Sequence, residues 1–146
     1  MSTDVILVHQ SIQTEFLEAL EQAAAALQAQ TKAPPVAVSM AAAARIASVL
    51  DDATKKGGEL LLGGALPPSA RGTTMVMPSI IGGISTDMQL WKEEAFGPVA
   101  GFKLFSTDEE AIEVVNGSGY GLSASVFTRD LRKAFALAKR IETGYV

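Results

Sequence analysis

Trp91–Val99 reads W-K-E-E-A-F-G-P-V, and the elements of the chain can be worked out from it in both directions. Met88–Glu94 reads as a short helix. Phe96-Gly97-Pro98 then shapes a turn, because Pro cannot continue a helix. Val99–Phe105 follows as a strand, with Val99, Gly101, Lys103 and Phe105 alternating with Ala100, Phe102 and Leu104. Beyond it, Thr107 with Glu110 fits a capping box ahead of the apolar run Ala111, Ile112, Val114, Val115. Asn116-Gly117-Ser118-Gly119 stops that helix.

Upstream, Val5–Val8 is a β-branched run, read as a strand. Ser11 is the expected N-cap of a helix to about Gln30, with Phe16, Leu17, Leu20, Ala23, Ala24 and Leu27 at helical spacing. Thr31–Val38 holds Pro34-Pro35 and reads as a loop. Ser39 opens a second helix with Ile46, Val49, Leu50 and Ala53 as its stripe. Gly57-Gly58 ends it after Lys55 and Lys56, whose charges suit a helix C-terminus. Glu59–Leu62 is a short strand closed by Gly63-Gly64, and Pro67–Gly72 is a turn region. Thr74–Ile81 is extended and broken by Pro78, and Gly82–Thr86 turns. Downstream, Leu122–Phe127 is expected as a strand. Asp130 caps a last helix to Glu142, with Leu131, Phe135, Ala136, Ala138 and Ile141 on one face. Tyr145-Val146 reads as the start of another strand. Strands alternating with helices, joined by connections too long for hairpins, predict an α/β fold with a partly parallel sheet and flanking helices.

Composition bounds the function. A chain of 146 residues suits one domain with a substantial core. It is 48% hydrophobic, an excess compatible with one face normally covered by another domain or subunit. Twelve basic and sixteen acidic residues leave a net charge of −4, which offers no electrostatic footprint for nucleic acid. No run reaches the roughly 18 apolar residues of a membrane span, and Met-Ser-Thr-Asp lacks a signal-peptide layout. The expectation is a cytoplasmic protein with no membrane and no nucleic-acid partner. There is no cysteine, hence no disulfide, thiolate metal site or thiol nucleophile, and with one histidine no metal site is expected.

Several residues carry two readings. Glu93 and Glu94 can form a paired-carboxylate acid–base site, or a solvated pair, since adjacent side chains rarely point the same way. His9 is a candidate general base or a surface or capping residue at a strand end. Trp91 can stack on a ligand or pack in a core or interface. Arg129 and Asp130 read as a helix start. Gly57, Gly63 and Gly82 read as backbone geometry, not as a dinucleotide fingerprint.

W-K-E-E-A-F-G-P-V resembles the E-E-x-F-G-P-V motif of the aldehyde dehydrogenase superfamily. Further stretches agree in family order. Val5–Phe16 resembles the strand and helix that follow the nucleophile, and Arg45–Gly64 the next helix and its Gly-Gly turn. Met77-Pro78 resembles the family's x-P-T step, with Ser79 in place of Thr. Tyr120–Ala124 and Val126–Leu131 are similar to Y-G-L-x-A and V-F-T-x-D-L. The opening M-S-T-D-V-I-L-V resembles members acting on aromatic aldehydes such as salicylaldehyde.

The resemblance implies the catalytic-domain fold. It implies that Glu94 holds the nicotinamide ribose and that Phe96 packs near the nicotinamide ring. It places Met1 immediately after the family's catalytic Cys. The dinucleotide-binding domain, the general-base Glu and the oxyanion Asn then fall outside these residues, as do the strands expected beyond Val146. The loop Gln28–Val38 looks shorter than the family's. The expectation is a single truncated catalytic domain over 1–146 that is inactive in aldehyde oxidation by itself. Ser2 and Thr3 lie near the nucleophile position without a base to activate them. No cofactor is expected on the chain alone, and NAD(P) only if the missing domain is supplied. A homo-oligomer and a small-molecule ligand are the expected partners. The alternatives are a small enzyme with thiol-free isomerase, cyclase or dehydratase chemistry using Glu93, Glu94 or His9, and a dimerisation module.

Overall fold

The computed structural model describes residues 3–30, 35–64 and 72–146. The expected loop residues 31–34 and turn residues 67–71, like Met1 and Ser2, lie outside them. The chain divides into two compact units, 1–104 and 105–146.

The first unit is built on a mixed four-stranded sheet of order β1-β4-β3-β2. The strands are β1 Val5–His9, β2 Glu59–Leu62, β3 Ser79–Gly82 and β4 Val99–Phe105. β3 runs parallel to β4, with Ser79 opposite Val99 and Gly82 opposite Phe102. β2 pairs antiparallel with β3 and slips register between Leu60 and Leu62. Strand pleating sends alternate residues to opposite faces. On one face Val8, Ile80 and Phe102 form a buried cluster, covered by Phe16, Leu17 and Leu20 of α1 Gln13–Gln30. The rings of Phe16 and Phe102 stack with centroids 6.0 Å apart. The other face carries Ile81, which meets Gly58 just past the end of α2 Met40–Lys55. A Cβ on Gly58 would lie 2.8 Å from Ile81 Cγ2, so only glycine lets the chain turn this close to the sheet. Each fully buried aliphatic residue here contributes about 1.5–3 kcal/mol by burial.

Local chemistry explains where the elements start. Ser39 Oγ accepts from Ala42 N at 3.1 Å and opens α2 as expected. Ser11 does not cap α1. A 3-10 turn, Gln10–Ile12, comes first, and His9 Nδ1 accepts from Ser11 N at 3.2 Å. The imidazole acceptor moves the cap two residues upstream. The extended run over Thr74–Ile81 narrows to β3, because Pro78 has no N–H to pair. Met75 makes only an isolated bridge to Val36. The short helix expected over Met88–Glu94 is α3 Gln89–Lys92. Its first N–H, on Gln89, is accepted by Asp52 Oδ2 of α2 at 2.7 Å, because Met88 has no capping side chain.

The second unit contains α4 Asp108–Asn116 and α5 Leu131–Ala138. Thr107 Oγ1 accepts from Glu110 N at 3.2 Å. Glu110 reaches back to the N and Oγ of Ser106 at 2.8 Å, one residue beyond the reciprocal partner of a capping box. Asp130 Oδ1 accepts from Arg132 N and Lys133 N, which starts α5. That helix stops at Ala138, not Glu142, because the Asn116 side chain takes over the backbone. Asn116 Nδ2 donates to Arg140 O at 2.8 Å and Asn116 Oδ1 accepts from Glu142 N at 2.9 Å. Leu122–Phe127 is not a strand. Ser123 bridges Tyr145 in parallel and Ala124 N donates to Tyr145 O, and the rest of the segment has no ladder. A parallel pair needs cover on both faces to extend.

Candidate functional site

Glu93–Pro98 crosses from α3 to β4 and is tied down along its length. Glu93 N donates to Gln89 O, Ser79 N donates to Pro98 O, and Val99 N donates to Gly97 O. α2 supplies the floor. Arg45 Nη1 donates to Ala95 O at 2.8 Å, and Arg45 Nη2 donates to Glu93 Oε2 at 3.1 Å. Gly97 sits against Ile46, where a Cβ would come within 2.4 Å of Ile46 Cδ1. Ala95 is buried between these contacts.

Two side chains escape this packing. Phe96 is 80% exposed and has φ 48, the left-handed region that a bulky residue rarely occupies. Glu94 is exposed as well, and its charge reaches Asp4, just before β1. Burial pushes the Asp4 carboxyl up from the usual carboxylate range, and the Glu94 carboxylate adds to that shift. Asp4 is itself fixed to the sheet, because its carbonyl accepts from Gly101 N at 2.7 Å. The loop therefore offers one exposed carboxylate, whose charge is felt at Asp4, and one exposed aromatic ring.

The other candidates sit elsewhere. Glu93 is turned to Arg45 and does not converge with Glu94. His9 ends β1, about 16 Å from Asp4 at ~3.3 Å per residue, where it partners Ser11. Trp91 is buried in the core of the first unit. Thr3 is exposed and precedes Asp4. Gly57 and Gly63 have φ 91 and 99, the geometry of turns. Ser79, in place of the family's Thr, is buried and donates to Met77 O at 2.9 Å. A separate cleft of about 390 Å³ lies on the α1 side of the sheet, lined by Leu17, Leu61, Ile84 and Phe102 with the charged Glu59 and Lys103.

Sequence reasoning did not single out Arg45 or Asp4. A signal for Arg45 existed: it is the one charged residue between Met40 and Leu50. No comparable signal marks Asp4, which lies 90 residues before Glu94 in the chain.

Comparison with known proteins bears on this arrangement. Betaine aldehyde dehydrogenase of Beta vulgaris is 34% identical over 151 residues, covering 99% of this chain and 30% of the relative. Vanillin dehydrogenase of Pseudomonas fluorescens is 35% identical, with 99% and 30% covered. Aspartate-semialdehyde dehydrogenase of Halomonas elongata matches at 34%, so overall identity does not separate one aldehyde class from another. Among solved structures, an indole-3-acetaldehyde dehydrogenase complexed with NAD+ superposes with a TM-score of 0.86 at 30% identity. Betaine aldehyde dehydrogenase of Staphylococcus aureus in complex with NAD+ gives 0.85 at 32%, and both cover 98% of this chain and 30% of theirs. The chain thus spans about 30% of the length of the relatives it matches. A model of the aldehyde dehydrogenase family matches residues 1–146, and with the loop chemistry and the shared fold this chain belongs to that family.

Proposed function

We infer that Glu93–Pro98 forms one wall of a nicotinamide-nucleotide site in an aldehyde-oxidising protein. Glu94 accepts from the ribose hydroxyls and Phe96 packs beside the nicotinamide ring. The carrying observation is Phe96, an exposed ring in a left-handed conformation on a loop that is otherwise bonded and packed. Left-handed backbone at such a residue costs about 1–3 kcal/mol, and exposing the ring forgoes its burial. Neither serves stability, and both present the ring to a ligand.

The described residues fit one side of the nucleotide and no more. Bound there, NAD(P) would supply the hydride acceptor for aldehyde oxidation. Glu94 orients it and Phe96 excludes water from one face. With no cysteine among the 146 residues, aldehyde oxidation by the family's chemistry would need a thiolate and a dinucleotide-binding fold supplied by other polypeptide. Thiol-free acid–base chemistry draws no support from the geometry, since Glu93, Glu94 and His9 face different partners. The resemblance of the opening residues to aromatic-aldehyde enzymes makes an aromatic aldehyde the substrate class to assay first.

The test is calorimetry of NAD and NADP on two proteins. One is the 146-residue chain. The other is a chimera in which these residues replace the matching 30% of a betaine aldehyde dehydrogenase. Heat is expected from the chimera alone, weakened at least about tenfold by Glu94→Ala, or ~1.4 kcal/mol. Equal binding by the chimera and its Glu94→Ala variant would overturn the reading.

Self-association belongs to the same reading. Leu122, Phe127, Leu131 and Phe135 of the second unit are exposed, and apolar surface of this kind favours a second subunit. Among the described residues no helix is long and apolar enough to cross a membrane.

A further inference from the structure

Arg45 makes two bonds, and they land on the residues immediately before and after Glu94. Its Nη1 meets Ala95 O at 2.8 Å and its Nη2 meets Glu93 Oε2 at 3.1 Å. A guanidinium holds two acceptors in one rigid planar fork, which a point-charge ammonium cannot do. The Ala95 bond holds the main chain and the Glu93 bond holds a side chain, so the loop is restrained on both sides of Glu94. Glu93 itself is extended, with φ −139 and ψ 138. Extended backbone sends successive side chains to opposite sides. Holding Glu93 toward α2 therefore turns Glu94 away from α2. The next residue of α2, Ile46, abuts Gly97 and blocks the loop from sinking.

We propose that Arg45 is a positioning residue, whose guanidinium clamps the loop at Glu93 and Ala95 and so fixes the direction of Glu94. The purpose of that direction rests on the nicotinamide-wall reading, whereas the clamp itself can be tested without any nucleotide. Arg45 and Glu93 are both partly exposed, so their ion pair adds little to global stability. Loop order, not melting temperature, is the informative readout.

The experiment is backbone ¹⁵N relaxation of the 146-residue chain, read at Glu94, Ala95 and Phe96. Order parameters near about 0.85 are expected in the parent chain, falling below about 0.6 in Arg45→Met. Arg45→Lys retains the charge and loses the fork, and should fall between them. Glu93→Gln keeps the Ala95 anchor and should fall least. Unchanged order at these three residues in a folded Arg45→Met chain would overturn the clamp. So would a loss spread evenly over β3 and β4, which marks general loosening. Should Arg45→Met not fold, Arg45→Lys decides, and order equal to the parent's would overturn the proposal. Loop order lost in Arg45→Met, with no nucleotide bound by the chimera, would uphold the clamp and remove only the functional reading.

Discussion

Residues 1–104 and 105–146 each leave an aromatic ring in solvent, Phe96 at 80% exposure and Phe127 at 95%, on very different foundations. Phe96 stands on a unit with a dense apolar core, in which Ile81, Ile84, Met88 and Leu90 are almost wholly buried. Its neighbours are bonded on both sides, so its exposure is imposed by the fold. In the second unit Ile112 is the one buried residue. The two helices there are joined largely by polar contacts. Lys133 pairs with Asp108 at 2.7 Å, Arg140 with Glu109 at 3.2 Å, and Asn116 clips the chain after α5. Ion pairs at this exposure contribute about 0–1 kcal/mol each. Phe127, Leu131 and Phe135 are exposed there because the unit has little interior to receive them. An exposed ring therefore points to a ligand only where the backbone beneath it is already satisfied. Elsewhere it points to missing cover.

The strongest way to break this contrast is to remove core from each unit. Ile81→Ala should cost about 4–5 kcal/mol and Ile112→Ala about 2 kcal/mol, the two ends of the range for such truncations. Urea denaturation followed by circular dichroism gives both numbers. Equal losses would mean that the second unit has a core as consequential as the first.

Gly97→Ala probes the floor of the loop. The new methyl meets Ile46 Cδ1 at 2.4 Å, and Ile46 is buried, so a loss of about 1–3 kcal/mol is expected. Adding Ile46→Val should recover part of it in a double-mutant cycle. Additive losses would show that the clash is relieved some other way.

pH separates two carboxylates of the first unit. The Gln89 N–H, then the Lys56 ammonium, holds Asp52 below the usual carboxylate range. The unfolded chain then binds this proton at higher pH than the folded chain does. Stability from Asp52 is complete above about pH 4–5 and is lost as pH falls through its lowered folded value. Asp4 has the opposite sign. Its folded value is raised, so it penalises the fold as pH rises from the ordinary carboxylate range through that value. Asp52→Asn should flatten the acid limb of a stability–pH profile and Asp4→Asn should lift its neutral limb. ¹³C titration of Asp4 should also show a downward shift in Glu94→Gln, and an unmoved titration would separate Glu94 from Asp4.

The smallest stability effect is expected at the least covered ring. Phe127→Ser should change stability by no more than about 0.5 kcal/mol while reducing self-association in sedimentation velocity. A larger loss of stability would show that Phe127 is covered within a single chain. Unchanged association would remove this patch from any subunit interface.

Local chemistry made much of this legible in the residues alone. The β-branched run at Val5, the alternation over Val99–Phe105 and the caps at Ser39, Thr107 and Asp130 act over a few residues, and each element forms where those signals lie. The motif at Trp91–Val99 likewise marks the loop and its family. Tertiary structure decided the rest, because the deciding partners are distant in the chain. Leu122–Phe127 has strand composition, but a strand exists only where a neighbour pairs with it along its length. α5 ends early because Asn116, more than twenty residues upstream, supplies the competing bonds. Whether Glu93 and Glu94 act together depended on Arg45, some fifty residues away, and the exposure of Phe96 depended on the burial of Ala95 and the packing of Gly97 on Ile46. Sequence alone determined which side chains this loop carries and to which family it points. The fold decided which of them face solvent, because direction is set by the hydrogen bonds and packing of the backbone beneath them.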